Sequence, residues 1–270
     1  MPHHDATGIS WTEHGTGTPI VMLHGLVGDH RLIHRFTESV LAPVPGLRRL
    51  HLDLPGHGES RGDGVSSSDD VVERVAAFLD DVLAGESYAV VGNSFGGGVA
   101  RALTARDPSR VLGMALIAPM IIADHDRRDL PAHDPLVVDE SLVAEPDDDL
   151  IAFREVTFRL TRQHWDLFVD EVIPGARIAD MDAIGRISAA YEFSVSPESR
   201  FTTYDRPVTF ILGRQDPVVG YADALALAAS YPRATYLVAD GAGHNPHHEQ
   251  PELSAAALRT WIDAVVSSTA

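Results

Sequence analysis

Residues 90–100 read VVGNSFGGGVA, and the stretch fits one local structure well: a strand that turns sharply into a helix. The apolar residues up to Val91 have the continuous character of a strand buried on both faces, as in a parallel sheet. Residues 95–106 then read as a helix. Between them Ser94 stands two residues from Gly92 and two from Gly96. A serine on so tight a turn holds a strained backbone, and larger residues two before and two after would collide. The pattern G-x-S-x-G, placed after a strand and opening a helix, is that of a nucleophile elbow. The helix amino terminus also directs free N–H groups and a partial positive charge at the serine. The bland alternative is a glycine-rich turn cradling a phosphate. That would call for G-x-G-x-x-G or a P-loop lysine, and neither is present.

The rest of the chain repeats the alternation. Strands are expected at 9–13, 19–24, 47–53, 87–92, 111–118, 208–212 and 235–239. Helices are expected at 69–84, 95–106, 221–230 and 252–266, and residues 15–19 (GTGTP) read as a hairpin turn. Strand–helix alternation implies a mostly parallel, doubly wound sheet with helices on both faces. Residues 121–200 break the rhythm with an acidic, proline-broken stretch and then short helices, the second stopped by Pro174-Gly175. The expected organisation is a core of residues 1–120 and 201–270, with 121–200 as a helical cap over the carboxyl ends of the strands, where ligands of such sheets bind.

A serine hydroxyl needs a base, and the base needs an orienting group. Asp216 lies in GRQDP after the strand ending near 212, and His244 in GAGHNP after the strand ending near 239. Both fall at carboxyl strand ends, on the edge that carries Ser94, in the order Ser, Asp, His expected with this elbow. Taken singly, Asp216 is a turn former and His244 a loop residue; together they complete a nucleophile, base and orienting acid. Asp124 is a second candidate for the orienting role. The oxyanion donors are expected to be the backbone N–H groups of Phe95 and Leu26, the latter in the loop after His24-Gly25. His24 is read as bracing that loop rather than as a base. The substrate pocket is expected to involve His24, Gly25, Phe153, Trp165, Phe168 and Val218, although the cap aromatics also suit a cap core. Arg154, Arg159 and Arg162 either meet a substrate carboxylate or balance neighbouring acids.

Five segments in register resemble the α/β-hydrolase superfamily over nearly the whole chain: HG at 24–25, DLPGHGES at 53–60, GNSFGG at 92–97, GRQDPVV at 213–219 and GHNPHHEQP at 243–251. The resemblance implies an eight-stranded, mostly parallel sheet with a helical cap after the sixth strand. It implies Ser94, Asp216 and His244 as a catalytic triad, with Leu26 and Phe95 as oxyanion donors. Dehalogenases and epoxide hydrolases of the superfamily carry aspartate where Ser94 stands, so those activities are disfavoured. GNSFGG is similar to the elbow of the carbon–carbon bond hydrolases, but those enzymes usually have tryptophan where Asn245 stands.

With 270 residues, one such domain buries its core without staples, and there are no cysteines to supply any. All 21 basic residues are arginines, which excludes lysine Schiff-base chemistry. A net charge of −18 argues against nucleic acid or an anionic membrane as partner. No apolar run is long enough to span a bilayer. The first ten residues lack a secretory pattern, so the expected compartment is the cytoplasm. His30 and His34 have the i, i+4 spacing of helical metal ligands, but no third ligand is evident, so they read as a solvated face. No cofactor or metal is called for. The expected function is serine hydrolysis of a carboxylic ester, thioester or lactone; the partner is a small molecule with an acyl or carbonyl group, and the oligomeric state is left open. Alternatives are a carbon–carbon bond hydrolase, a cofactor-free perhydrolase, or a low-turnover ligand-binding protein of the same fold.

Overall fold

A computed structural model describes residues 3–142 and 148–269. The first strands are β1 (His3–His4), β2 (Ser10–His14), β3 (Thr18–Leu23), β4 (Leu47–Leu52), β5 (Tyr88–Asn93) and β6 (Val111–Ile117). Two short strands, β7 (Val137–Val138) and β8 (Arg159–Leu160), pair with each other apart from the rest. The last two are β9 (Val208–Gly213) and β10 (Ala234–Ala239). The main sheet has eight strands in the order β1-β2-β4-β3-β5-β6-β9-β10. The six from β4 to β10 are parallel, and β1 and β2 close one edge antiparallel.

Period-two alternation within these apolar strands fills two cores at once. Val21, Leu23, Val90, Leu116 and Phe210 face α2 (Ser68–Leu83) and α3 (Phe95–Arg106). Ile20, Met22, Val91, Ile117 and Ile211 face α1 (Arg31–Leu41) and α10 (Pro251–Thr269). Between β6 and β9 the chain inserts α4 (Asp148–Val156), α5 (Arg162–Glu171), α6 (Ile173–Ile178) and α7 (Met181–Ala189). Leu142, Leu150, Phe153, Leu160, Phe168 and Ile173 form a small core within this insertion. Residues 143–147 of the acidic stretch lie outside the described residues. No described helix is long and apolar enough to cross a membrane.

Two local expectations are corrected and a third is refined. Residues 15–19 do not close a hairpin: β2 pairs with β4, and β4 lies between β2 and β3. The Thr18 N–H donates to the Gly46 carbonyl at 2.8 Å, so the chain turns onto the start of β4 instead of back along β2. The helix expected to stop at Pro174-Gly175 does end there, α5 at Glu171, but a new helix follows at once, with Pro174 in the first turn of α6, where its missing N–H costs nothing. The helix expected at 221–230 shrinks to α8 (Ala222–Leu225), because only Ala224 of it is buried and Leu225 is exposed, leaving no apolar stripe to support more turns.

Candidate active site

The elbow forms because two glycines let three backbones converge. Ser94 sits between β5 and α3 with φ 51° and ψ −115°, a conformation costly for any residue with a side chain. It is pinned on two sides: its N–H donates to the Ile117 carbonyl at 2.9 Å, and its carbonyl accepts the Met120 N–H at 2.9 Å. A Cβ on Gly92 would lie 2.4 Å from the Gly96 carbonyl oxygen, and a Cβ on Gly96 2.4 Å from the carbonyl oxygens of both Leu23 and His24. Any larger residue at either place would push β3, β5 and α3 apart.

The next two parallel strands bring the partners. Asp216 follows β9, and its Oδ1 accepts the N–H groups of Val218 at 2.8 Å and Val219 at 3.1 Å. That grip turns Oδ2 toward His244, whose Nδ1–H donates to it at 2.9 Å. His244 follows β10, and its own N–H donates to the Val156 carbonyl of α4 at 2.9 Å. The Ser94 hydroxyl donates to His244 Nε2 at 2.9 Å. Asp216 is fully buried and Ser94 and His244 are 8% exposed, so the chain of hydrogen bonds runs through a mostly water-free edge. Such an arrangement can take the proton from the hydroxyl as oxygen attacks an electrophile. Asp124, the second candidate, is exposed and caps a short turn by accepting the Asp126 N–H, away from His244.

Phe95 is the first residue of α3, so its N–H has no acceptor within the helix. Leu26 lies in the loop after β3, on the wall of the cavity that contains Ser94. Beside it Val27 holds φ 70°, a genuine outlier for a β-branched residue and a sign that this loop is held in a constrained shape. His24 is corrected from a pocket wall to a brace: fully buried, it donates from Nδ1 to the Gly25 carbonyl at 2.7 Å and accepts the Leu54 N–H at Nε2 at 2.9 Å. Burial lowers its pKa and keeps the ring neutral.

The cavity over Ser94 and His244 has a volume of about 280 Å³. Gly25 and Phe168 lie on its wall. Three other expected wall residues do not. Trp165 stacks on Phe168 and Phe153 meets both edge-to-face in the core of the insertion, with Phe153 only 1% exposed. Val218 is spent holding Asp216. The wall instead takes Val156, Val172 and Ile173, with the acids Asp149 and Glu155 and the amide of Asn245. The signal was available in part: Asp149, Ala152, Glu155 and Val156 fall on one face of α4 at helical spacing. Arg154, Arg159 and Arg162 are not on the wall, and among the described residues no arginine lines it. Arg177 pairs with Asp149 at 2.8 Å.

One residue that sequence reasoning missed ties the insertion to the His244 loop. Glu249, in the short helix α9 (Pro246–Glu249), is 6% exposed. Its Oε1 accepts the N–H groups of Phe158 at 2.9 Å and Arg159 at 2.6 Å, and its Oε2 that of Gly243 at 2.6 Å. Burial pushes its carboxyl up to about 7, against the pull of these three donors. It stands within GHNPHHEQP, five residues after His244.

A family model described as alpha/beta hydrolase fold matches residues 18–251. The chain belongs to that family. The solved structure of an alpha/beta superfamily hydrolase from Oenococcus oeni PSU-1 superposes on this α/β hydrolase with a TM-score of 0.90 and 27% identity, covering 98% of this chain and 99% of the other. Among curated relatives, Esterase YbfF of Escherichia coli (strain K12) is 26% identical over 91% of this chain and 93% of its own. The 2-succinyl-6-hydroxy-2,4-cyclohexadiene-1-carboxylate synthase of Enterobacter sp. (strain 638) is also 26% identical, over 88% and 89%. This α/β hydrolase therefore shares about nine-tenths of its length with relatives named for more than one chemistry, and the choice between them rests on the site.

Proposed function

We propose that the protein is a carboxylic ester hydrolase that forms an acyl-enzyme on Ser94. The observation that carries the reading is the Ser94–His244–Asp216 hydrogen-bond chain opening directly into an apolar cavity. Ser94 Oγ attacks the acyl carbon as its proton passes to His244 Nε2. Asp216 holds the imidazole in the tautomer that can accept at Nε2 and stabilises the imidazolium that results. The N–H groups of Phe95 and Leu26 receive the oxyanion; one such donor is typically worth about 3 kcal/mol. His244 then gives its proton to the leaving alcohol and activates the water that releases the acid. In this reading residues 121–200 form a cap over a core of residues 1–120 and 201–270, and α4, α5 and α6 shape the acyl site.

The wall supports a neutral substrate: an ester, thioester or lactone with a short to medium apolar acyl group. Asp149 is offset by Arg177, while among the described residues no ion pair offsets Glu155 at the cavity, and the whole chain carries −18. A substrate carboxylate would meet repulsion and no cation. That disfavours the carbon–carbon bond hydrolase reading, whose dienoic acid substrates are anions, and likewise an acid of the kind named for the Enterobacter synthase.

The test is labelling by a fluorophosphonate probe together with turnover of p-nitrophenyl butyrate. Wild-type protein is expected to label and turn over, and Ser94→Ala to do neither. Labelling that survives in Ser94→Ala would refute Ser94 as the nucleophile; tight ligand binding without labelling of the wild type would favour a binding protein of this fold.

A further inference from the structure

The i, i+4 pair His30 and His34 does not face solvent alone. Strand alternation puts His14 of β2 and His51 of β4 on the sheet face that α1 covers, next to Thr12, which is paired across the ladder with His51. The ring centroids of His34 and His51 are 4.5 Å apart, His14 and His34 5.7 Å, His14 and His51 6.3 Å, and His30 and His34 6.2 Å. Three of these imidazoles, His14, His30 and His34, line a groove of about 390 Å³ together with Thr12, the acids Asp170 and Glu171 and the cations Arg31 and Arg35, and His51 lies buried behind His34. None of its lining residues belongs to the Ser94 cavity.

His51 is the telling member. The Thr37 hydroxyl donates to the Ile33 carbonyl at 2.8 Å, so toward His51 Nε2, 3.0 Å away, it acts as acceptor. That fixes the tautomer with the proton on Nε2 and a lone pair on Nδ1. Nδ1 is buried and has no hydrogen-bond partner, in a ring that is fully buried. An acceptor left bare in this way calls for an occupant. A ring held by its other nitrogen is also how metal-ligating histidines are oriented. His30 repeats the device, with Nδ1 bonded to Asp53 at 2.7 Å and Nε2 left over.

We propose that His14, His34 and His51 bind a divalent first-row transition-metal ion of the zinc type, with His30 Nε2 or water in the fourth position. Zinc–nitrogen bonds of about 2.0–2.1 Å at tetrahedral angles place imidazole centroids about 5 Å apart, within the spread found here. The rings of His14, which is exposed, and His34, which is half-buried, turn to bring their nitrogens onto the ion. Local cations do not oppose it, since Arg31 is paired with Asp29 at 2.8 Å, Arg35 with Glu171 at 3.4 Å and Arg49 with Glu38 at 2.8 Å. The tighter group Asp29, His30 and Asp53, whose ligand atoms lie within 4.8 Å of one another, is not the site. Its members are already committed to one another, to Arg31 and to the backbone. The bound ion would staple the antiparallel edge of the sheet to α1.

The test is equilibrium dialysis of the full chain against zinc, with cobalt(II) as a spectroscopic substitute. A His3→Ala/His4→Ala background removes the exposed tandem imidazoles. One equivalent of zinc is expected, with the visible bands of tetrahedral cobalt and a zinc-dependent rise in Tm. His34→Ala and His14→Gln should each weaken binding at least about 100-fold and abolish the cobalt bands. Ser94→Ala and His125→Ala, the latter an exposed histidine elsewhere, should bind as the parent does. His14 is exposed at a strand end, so its variant reports on binding even where His34→Ala perturbs α1. No binding at micromolar zinc, or parental affinity in His14→Gln, would overturn the proposal.

Discussion

Glu249 Oε2 accepts the Gly243 N–H at 2.6 Å, one residue before His244, while Oε1 of the same carboxylate holds Phe158 and Arg159 of the insertion. One buried side chain therefore sets the distance between the base and the helices above it. Glu249→Gln turns one acceptor oxygen into an NH2 facing a buried N–H. Leaving such donors unmet costs about 1–3 kcal/mol each. We expect Tm to fall by roughly 5–10 °C. We also expect kcat for p-nitrophenyl butyrate to fall at least about tenfold with a smaller change in KM, because His244 is displaced more than the pocket. Thermal melts and steady-state kinetics check both; an unchanged kcat would confine Glu249 to stability.

Asp216 presents one oxygen to two backbone N–H groups and the other to His244. Asp216→Asn can keep the first contact, but its NH2 then faces His244 Nδ1 and selects the tautomer with the proton on Nε2. Such a histidine cannot accept from Ser94. The expected outcome is a loss of about 10³–10⁴ in kcat with the fold intact, measured on purified, folded variant. Activity within tenfold of wild type would mean that another acid orients the base.

Glu155 lies on the cavity wall with no ion-pair partner among the described residues, whereas Asp149 is paired with Arg177. The wild-type protein is expected to prefer p-nitrophenyl butyrate to the anionic mono-p-nitrophenyl glutarate by more than about tenfold in kcat/KM. Glu155→Gln should narrow that ratio by roughly 2–5-fold, with the effect shrinking at high salt, as suits an exposed charge. A ratio insensitive to the substitution would move the source of selectivity elsewhere.

Asp53 accepts the backbone and ring N–H groups of His30, where the loop that carries Leu26 runs into α1. Burial works against its charge, but the hydrogen bond and charge of His30 outweigh that and hold the carboxyl at about 2, below its usual 3.8. The unfolded chain therefore binds this proton more readily than the folded one. The stabilisation is fully present above about pH 4 and is lost as pH falls through 2. The difference corresponds to about 2–3 kcal/mol. Asp53→Asn should lower stability by about that much at pH 7 and flatten the acid limb between pH 4 and 2 in urea titrations. An acid limb as steep as the wild type's would show that other carboxylates carry it.

What was legible in the sequence follows the range of the forces involved. The parallel strands announce themselves locally, as short apolar runs ended by glycine or proline. Ser94, Asp216 and His244 could be placed on one edge because each follows such a run. Strand pairing is not local, and GTGTP looks like a hairpin whether or not β4 slips between its arms. The pocket wall was misread for a related reason. Phe153 and Trp165 are the bulkiest apolar residues of α4 and α5, but bulk alone does not tell whether a helix face meets a ligand or the next helix. Here the aromatics pack on one another, and the smaller Val156, Val172 and Ile173 are left for the cavity. Glu249 was passed over because a carboxylate gripping three backbone N–H groups has no signature beyond its own letter.

The hydroxyl of Ser94 and the imidazole of His244 are 150 residues apart in the chain and 2.9 Å apart in space. During synthesis the elbow, with β3, β5 and β6 around it, emerges long before the final strand and its loop exist. A nascent chain therefore carries an ordinary alcohol, and the reactive centre comes into being only when β10 adds to β9 and the Val156 carbonyl receives the His244 N–H. Recovery of turnover after dilution from denaturant would then clock the last docking event rather than collapse of the sheet, which makes the chemistry a reporter of completed assembly.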